Sequence, residues 1–241
     1  MTTYQWLLFD ADNTLFDFDA AEEYALCRTL THFGVEATDR VKNIYKKGNR
    51  ALWDAFEQGK ISQERILAQR FTLFLEAAGL EGDGKAWNQF YMESLAGCSV
   101  LLPGAEDLCR RASQHYTLCL ATNGVPFIQR SRLEHSPIAR FFGDRVFISG
   151  EMGCRKPDKQ FFETILTTLG AKNHRARVLV IGDSLSSDIR GAFNAQLDSA
   201  WLNRRGERAY PVKPTYELSG YPDLEKLLLP SPFDNFDYLR T

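Results

Sequence analysis

The chain has 241 residues, of which 44% are hydrophobic and 25% charged, ordinary values for a globular protein long enough to bury a large core. Its 29 basic and 31 acidic residues leave a net charge of −2, without the basic excess by which nucleic-acid binders neutralise phosphates. No window approaches the roughly 18 apolar residues of a bilayer-spanning helix, and the first residues lack the basic stretch and apolar run of a secretory leader. The expected location is the cytoplasm, with neither a membrane nor a nucleic-acid polymer as partner.

In chain order, the first apolar run is Trp6-Leu7-Leu8-Phe9, ending in Asp10. From about Ala20 to Ala96 the pattern is helical: Ala51-Leu52, Ala55-Phe56, Ile66-Leu67 and Phe71, Phe74-Leu75 recur at helical spacing, punctuated by Gly59, Gly79, Gly82 and Gly84. No strand-like run interrupts this stretch. Pro103-Gly104 marks a return to alternation, with a helix through Ala105, Leu108 and Ala112. Leu118-Cys119-Leu120-Ala121 then ends in Thr122-Asn123-Gly124, and a weaker run follows at Val146-Phe147-Ile148. Phe161-Phe162, Ile165-Leu166 and Leu169 form an apolar helical stripe stopped by Gly170. Val178-Leu179-Val180-Ile181 ends in Gly182-Asp183-Ser184, and Ala200-Trp201-Leu202 is a further weak run.

Short continuous apolar runs bounded by polar residues and glycine are strands buried on both faces. Their alternation with helices predicts an α/β fold with a doubly wound, mostly parallel sheet. The helical stretch is then an insert placed directly after the first strand. The expected division is a sheet-forming unit at 1–16 and 97–230, a helical unit at 17–96 and a tail at 231–241, where Pro232 and the absence of helical pattern end the regular structure. The five cysteines (Cys27, Cys98, Cys109, Cys119, Cys154) are odd in number and scattered, which argues against structural zinc or a disulfide framework. Cys119 is expected in the core, and Cys154 in a polar loop near Lys156.

In open α/β sheets, ligands bind beyond the carboxyl ends of the strands, and each strong strand here carries polar groups at that end. Asp10 and Asp12 can face one crevice if the chain bends, and Asn13 tolerates the backbone angles of such a bend; alone, the pair would equally be an acidic turn. Asp183 and Asp188 add carboxylates from another strand, although Asp188 also suits the first turn of a helix. Carboxylates converging from separate strands repel unless a cation neutralises them, and all-oxygen ligation favours Mg²⁺. Thr122 offers a hydroxyl, Asn123 an amide, and Lys156-Pro157 a cation just before a helix beginning near Asp158, where the dipole already favours anions. Singly, Lys156 would be a solvated lysine. Together, a cation site, several donors and a fixed ammonium make a phosphate site.

Asp-x-Asp-x-Thr, a strand-end Thr, Lys-Pro and Gly-Asp-Ser-x-x-x-Asp resemble, in order and spacing, the four motifs of the haloacid dehalogenase superfamily, and the insert resembles that superfamily's C1 cap. The resemblance implies a Mg²⁺-dependent phosphohydrolase. Asp10 would be the nucleophile and Asp12 the general acid and base, with Thr122, Asn123 and Lys156 holding the phosphoryl group. The metal would be held by Asp10, the Asp12 main-chain carbonyl and Asp183, with Asp188 nearby or through water. An acid at position 12 argues against the dehalogenase branch, whose metal-free members lack it. Asp10-Ala-Asp-Asn-Thr-Leu-Phe16, Leu102-Pro-Gly-Ala105, Thr122-Asn-Gly124 and Trp201-Leu-Asn203 are similar to the bacterial house-cleaning pyrimidine 5′-nucleotidases of the superfamily.

The expected partner is therefore a small phosphorylated substrate, such as a nucleoside monophosphate, met by a monomer or dimer. Phosphoglycolate and sugar-phosphate phosphatases share several of these phrases, and a phosphoglucomutase shares the architecture. Receiver domains also gather aspartates, Thr and Lys around Mg²⁺, but they are shorter and lack the insert; an inactive phosphate-binding module is the non-enzymatic alternative. Specificity is expected on the insert and just after Thr14, with Phe16, Phe18, Asn49 and Trp53 as candidates, each of which also suits the interior of the helical unit.

Overall fold

The structure, a computed structural model, describes residues 4–208 and 212–229; the expected tail at 231–241 lies outside the described residues. Its elements are β1 (Trp6–Phe9), α1 (Phe18–His32), α2 (Asp39–Glu57), α3 (Gln63–Ala78), α4 (Gly84–Ala96), α5 (Ala105–Ala112), β2 (Thr117–Thr122), α6 (Pro126–Glu134), α7 (Ala139–Phe142), β3 (Val146–Ile148), α8 (Ser149–Met152), α9 (Lys159–Thr168), β4 (Val178–Gly182), a π-helical turn (Leu185–Ile189), α10 (Arg190–Asn194), β5 (Asp198–Leu202), β6 (Tyr216–Leu218) and α11 (Tyr221–Leu228). The six strands form one sheet in the order β3-β2-β1-β4-β5-β6, parallel throughout. The predicted doubly wound parallel sheet is thus observed.

Successive residues of a strand face opposite sides of the sheet, and here both sides are covered. Leu7, Phe9, Leu118, Leu120, Leu179 and Ile181 pack with α5 and α11 on one face. Trp6, Leu8, Cys119, Ala121, Val178 and Val180 pack with α9 on the other. Two-sided burial removes any need for polar alternation, which is why the strands are continuous apolar runs. Cys119 is a core residue as expected, and Cys154 is half-buried against the same α9 face.

Helices α1–α4 occupy the stretch expected as helical and share an apolar cluster of their own. Leu26, Tyr45, Phe71, Phe74, Trp87 and Tyr91 meet there, joined by Val125 and Ile128 from the segment after β2. Each of the four starts on a side-chain cap: Asp17, Thr38, Ser62 and Asp83 accept from main-chain N–H groups of the first turn, satisfying donors that the helix itself leaves free. The chain leaves the sheet and returns to it side by side, since Asp17 N–H donates to Val100 O and Leu102 N–H to Leu15 O. Among the described residues no helix is long and apolar enough to cross a membrane.

Helices α9 and α10 approach closely because position 191 is glycine. A Cβ there would lie 2.4 Å from the Phe162 ring and 3.3 Å from Pro157 Cα. Overpacking of this kind destabilises by roughly 1–3 kcal/mol. Gly191→Ala is expected to lower the melting temperature by several degrees, at about 2–4 °C per kcal/mol for this size of protein, as differential scanning calorimetry would measure.

Candidate active site

The carboxyl ends of β1, β2 and β4 meet at one place. Asp10 follows β1 directly, its N–H donating to Ile181 O at 2.8 Å. Beyond it the chain turns sharply: Asn13 has φ of 56°, the left-handed conformation that asparagine tolerates better than most residues. Its Oδ1 accepts from Phe18 and Asp19 N–H, steering the chain into α1. The predicted bend therefore exists.

Asp10, Asp183 and Asp188 bring carboxylate oxygens within 4.8 Å of one another. Between Asp10 and Asp188 stands Lys156, whose Nζ donates to Asp10 Oδ1 (2.5 Å), Asp188 Oδ1 (2.6 Å) and Ala121 O (2.8 Å). Lys156 is 2% exposed, far from a solvated lysine. Its main chain is clasped by Asn123, which donates from Nδ2 to Lys156 O and accepts at Oδ1 from Lys156 N–H, both at 2.9 Å. The Asn123 side chain, expected at the phosphate, instead fixes the lysine. Asp188 Oδ2 accepts from Ser184 N–H, and Trp201 Nε1 donates to Asp183 O at 2.8 Å, so a tryptophan singled out for family likeness holds the Asp183 main chain.

Burial pushes the Asp10 carboxyl well above the usual carboxylate range; Lys156 opposes this, while Asp188, Asp183 and Asp12 add to it. Burial, with Asp188 beside it, pushes Asp183 up to about 7. Burial disfavours the charge on Lys156, yet Asp10 and Asp188 together raise it above the ordinary lysine value. One ammonium does not balance two buried carboxylates and a half-buried third. Hard oxygen donors in such excess suit a divalent cation, and Asp10, Asp183 and Asp188 are the side chains that could hold it.

The Asp12 side chain stands apart from that cluster. Its Oδ1 accepts from Arg132 Nη1 (2.5 Å) and its Oδ2 from Gln129 Nε2 (2.7 Å). Thr122 Oγ1 accepts from Gly124 N–H and Gln129 Nε2. Arg132 and Gln129 carried no signal in the sequence, because polar residues spaced three apart on a helix look like a solvated face.

A cavity of about 220 Å³ rises from these groups, walled on the helical side by Phe18, Trp53, Arg70 and Leu95 and shared with Val125 and Ile128. Of the four specificity candidates, Phe18 and Trp53 line it. Phe16 does not: it is fully buried beneath Arg132 and belongs to the sheet core, held there because the tight turn aims its ring inward. Asn49 is buried, donates to Glu22 and lines a neighbouring cleft.

A model of haloacid dehalogenase-like hydrolases matches residues 4–196. The chain belongs to that family. It is 40% identical over 223 residues to the pyrimidine 5′-nucleotidase PynA of Streptococcus pneumoniae, covering 92% of this chain and 93% of that one. It is 34% identical to the pyrimidine 5′-nucleotidase YjjG of Escherichia coli over 93% of this chain and 98% of that one. Among solved structures, the HAD-hydrolase YfnB of Bacillus subtilis, bound to magnesium, superposes with a TM-score of 0.88 at 36% identity, over 94% and 99% of the two chains. This chain is accordingly an enzyme of the hydrolase class.

Protons and a cation compete for the same carboxylates. A carboxyl raised in the folded state holds more protons folded than unfolded, so between about pH 4 and pH 7 its contribution to stability falls as pH rises. A divalent cation replaces those protons. Addition of Mg²⁺ is therefore expected to raise the melting temperature more at about pH 7.5 than at about pH 5.5, and Asp183→Ala is expected to abolish that difference.

Proposed function

We propose that this hydrolase is a Mg²⁺-dependent phosphomonoesterase that works through a phosphorylated Asp10 and acts on pyrimidine nucleoside 5′-monophosphates, with α1–α4 as a cap over the site. The observation that carries the reading is the separation of two carboxylates at one strand end: Asp10 lies on Lys156 within the acidic cluster, and Asp12 lies on Arg132 and Gln129 outside it. Two carboxylates in different environments can serve different chemical roles.

Asp10 attacks phosphorus, and the bond from phosphorus to the ester oxygen breaks. Asp12 gives its proton to that departing oxygen. Asp12 then takes a proton from the water that attacks the phosphorus of phospho-Asp10, releasing inorganic phosphate and restoring Asp10. Lys156 offsets the repulsion between Asp10 and the incoming dianion. Thr122 Oγ1 already accepts two hydrogen bonds, so its own O–H is left to donate to a phosphoryl oxygen. Mg²⁺, held by Asp10, Asp183, the Asp12 carbonyl and Asp188 directly or through water, would supply further neutralisation of the phosphoryl charge.

The substrate reading is supported by the two relatives named as pyrimidine 5′-nucleotidases and by the cavity wall. Phe18 and Trp53 are the aromatic rings of that wall, and Arg70, 4% exposed and with no hydrogen-bond partner for Nη2 among the described residues, offers a donor. Flat apolar rings with a donor beyond them suit a base bearing carbonyl oxygens.

Asp10→Asn keeps the shape of the side chain and removes its nucleophilicity; it is expected to abolish turnover of p-nitrophenyl phosphate in Mg²⁺ while circular dichroism stays unchanged. Uridine and thymidine monophosphates are expected to show higher kcat/KM than phosphoglycolate or hexose phosphates; the reverse order would end the nucleotidase reading and leave the phosphatase. Stacking on a base is worth on the order of 1–3 kcal/mol in nucleic-acid sites, so Trp53→Ala is expected to raise KM for uridine monophosphate about tenfold and to spare p-nitrophenyl phosphate, which has no base to position.

A further inference from the structure

Arg132 is fully buried, and its guanidinium is held from several directions. Nε donates to Cys98 O at 3.0 Å, in the segment by which the chain returns to the sheet. The guanidinium carbon lies 4.7 Å from the Phe16 ring centroid and 5.9 Å from that of Phe18, in the segment by which it leaves. Nη1 donates to Asp12 Oδ1 and, at 3.3 Å, to Gln129 Oε1. Gln129, one helical turn earlier on α6, holds the other Asp12 oxygen.

Nη2 has no partner among the described residues. A buried guanidinium with an unpaired donor opposes folding, so packing alone does not account for an arginine here. What it supplies is a rigid planar fork. With Nε pinned by a carbonyl and the plane lying against aromatic rings, Nη1 has one place to be, and the carboxylate it grips is fixed with it.

We propose that Arg132 is the positioning residue for Asp12, holding that carboxyl in the orientation from which its proton passes to the departing ester oxygen. This rests on the proposed roles of Asp10 and Asp12. The proton leaves the Asp12 carboxyl as the bond from phosphorus to oxygen breaks, and the electron pair of that bond stays on the oxygen that accepts the proton. A poor leaving group, such as a nucleoside 5′-oxygen, needs that proton; p-nitrophenolate leaves without it.

The test measures kcat, KM and kcat/KM for uridine monophosphate and p-nitrophenyl phosphate, with Mg²⁺ titrations, for wild type, Arg132→Lys and Arg132→Met. kcat/KM covers the steps through departure of the leaving group and excludes hydrolysis of phospho-Asp10. General acid catalysis contributes typically 10²–10⁴-fold. Arg132→Lys, which keeps the charge but lacks the fork, is expected to lower kcat/KM for uridine monophosphate by about 100-fold, mostly in kcat, and by less than about tenfold for p-nitrophenyl phosphate, with Mg²⁺ half-activation unchanged. Arg132→Met is expected to show the same asymmetry; if it does not fold, Arg132→Lys decides. Equal losses on both substrates, a loss confined to KM, or no loss would overturn the proposal. Wild-type turnover of p-nitrophenyl phosphate, abolished by Asp10→Asn, tests the underlying reading separately.

Discussion

A single buried ammonium makes this strand-end arrangement possible. Asp10 and Asp188 come from different strands and would force each other apart or take up protons if they met unaided in the interior. Lys156 Nζ bonds to both and to the Ala121 carbonyl, so its burial is offset by two charges and its three donors are used. The position of the ammonium is not left to a flexible side chain alone, because Asn123 clasps the lysine main chain on both sides. Glycine at 182 completes the fit: a Cβ there would lie 2.1 Å from Asp188 Oδ2, displacing the carboxylate that shares the lysine.

That constraint explains why Asp12, two residues from Asp10, points elsewhere. A fourth carboxylate in the same cluster would add repulsion that one lysine cannot offset. The left-handed Asn13 turns the chain at this point, and α6 presents Arg132 and Gln129 to receive Asp12. Two neighbouring acids thus meet different partners, Asp10 a lysine shared with Asp188 and Asp12 an arginine and an amide. Their separation comes from backbone geometry at one residue and from the charge placed on one helix.

The strands and the site cluster were legible in the sequence for a common reason. Two-sided burial writes a strand as an apolar run, and polar residues at the ends of such runs must lie at one edge of a parallel sheet. β6 was not legible, because Tyr216-Glu217-Leu218 is short, half-exposed and at the sheet edge, where one-sided cover leaves little apolar signal. Asn123 was legible as a site residue but not in its partner, since an amide at a strand end can face a ligand or a neighbouring main chain equally well. Phe16 was misplaced because composition does not reveal which way a ring turns within a tight loop. Arg132 and Gln129 were invisible: a helix hides the difference between a solvated polar face and one turned toward a carboxylate.

The same division bears on how specificity and chemistry are kept apart. The charged groups sit at the tips of strands whose positions are set by main-chain ladders and two apolar layers. The cavity wall, in contrast, comes from helices with their own apolar cluster. Among the polar contacts that reach across, two meet the segments beside the cluster. Gln63 donates to Asn123 O, the residue that clasps Lys156, and Ser186 donates to Glu57 from the turn that carries Asp188. A shift of the helices would therefore be felt at the main chain beside the ammonium and beside its second carboxylate. Substitution of a ring on the wall would pass through neither path. Substrate preference can change on the helical side without disturbing the charge balance at the strand tips, whereas displacement of the helices as a body cannot leave that balance untouched.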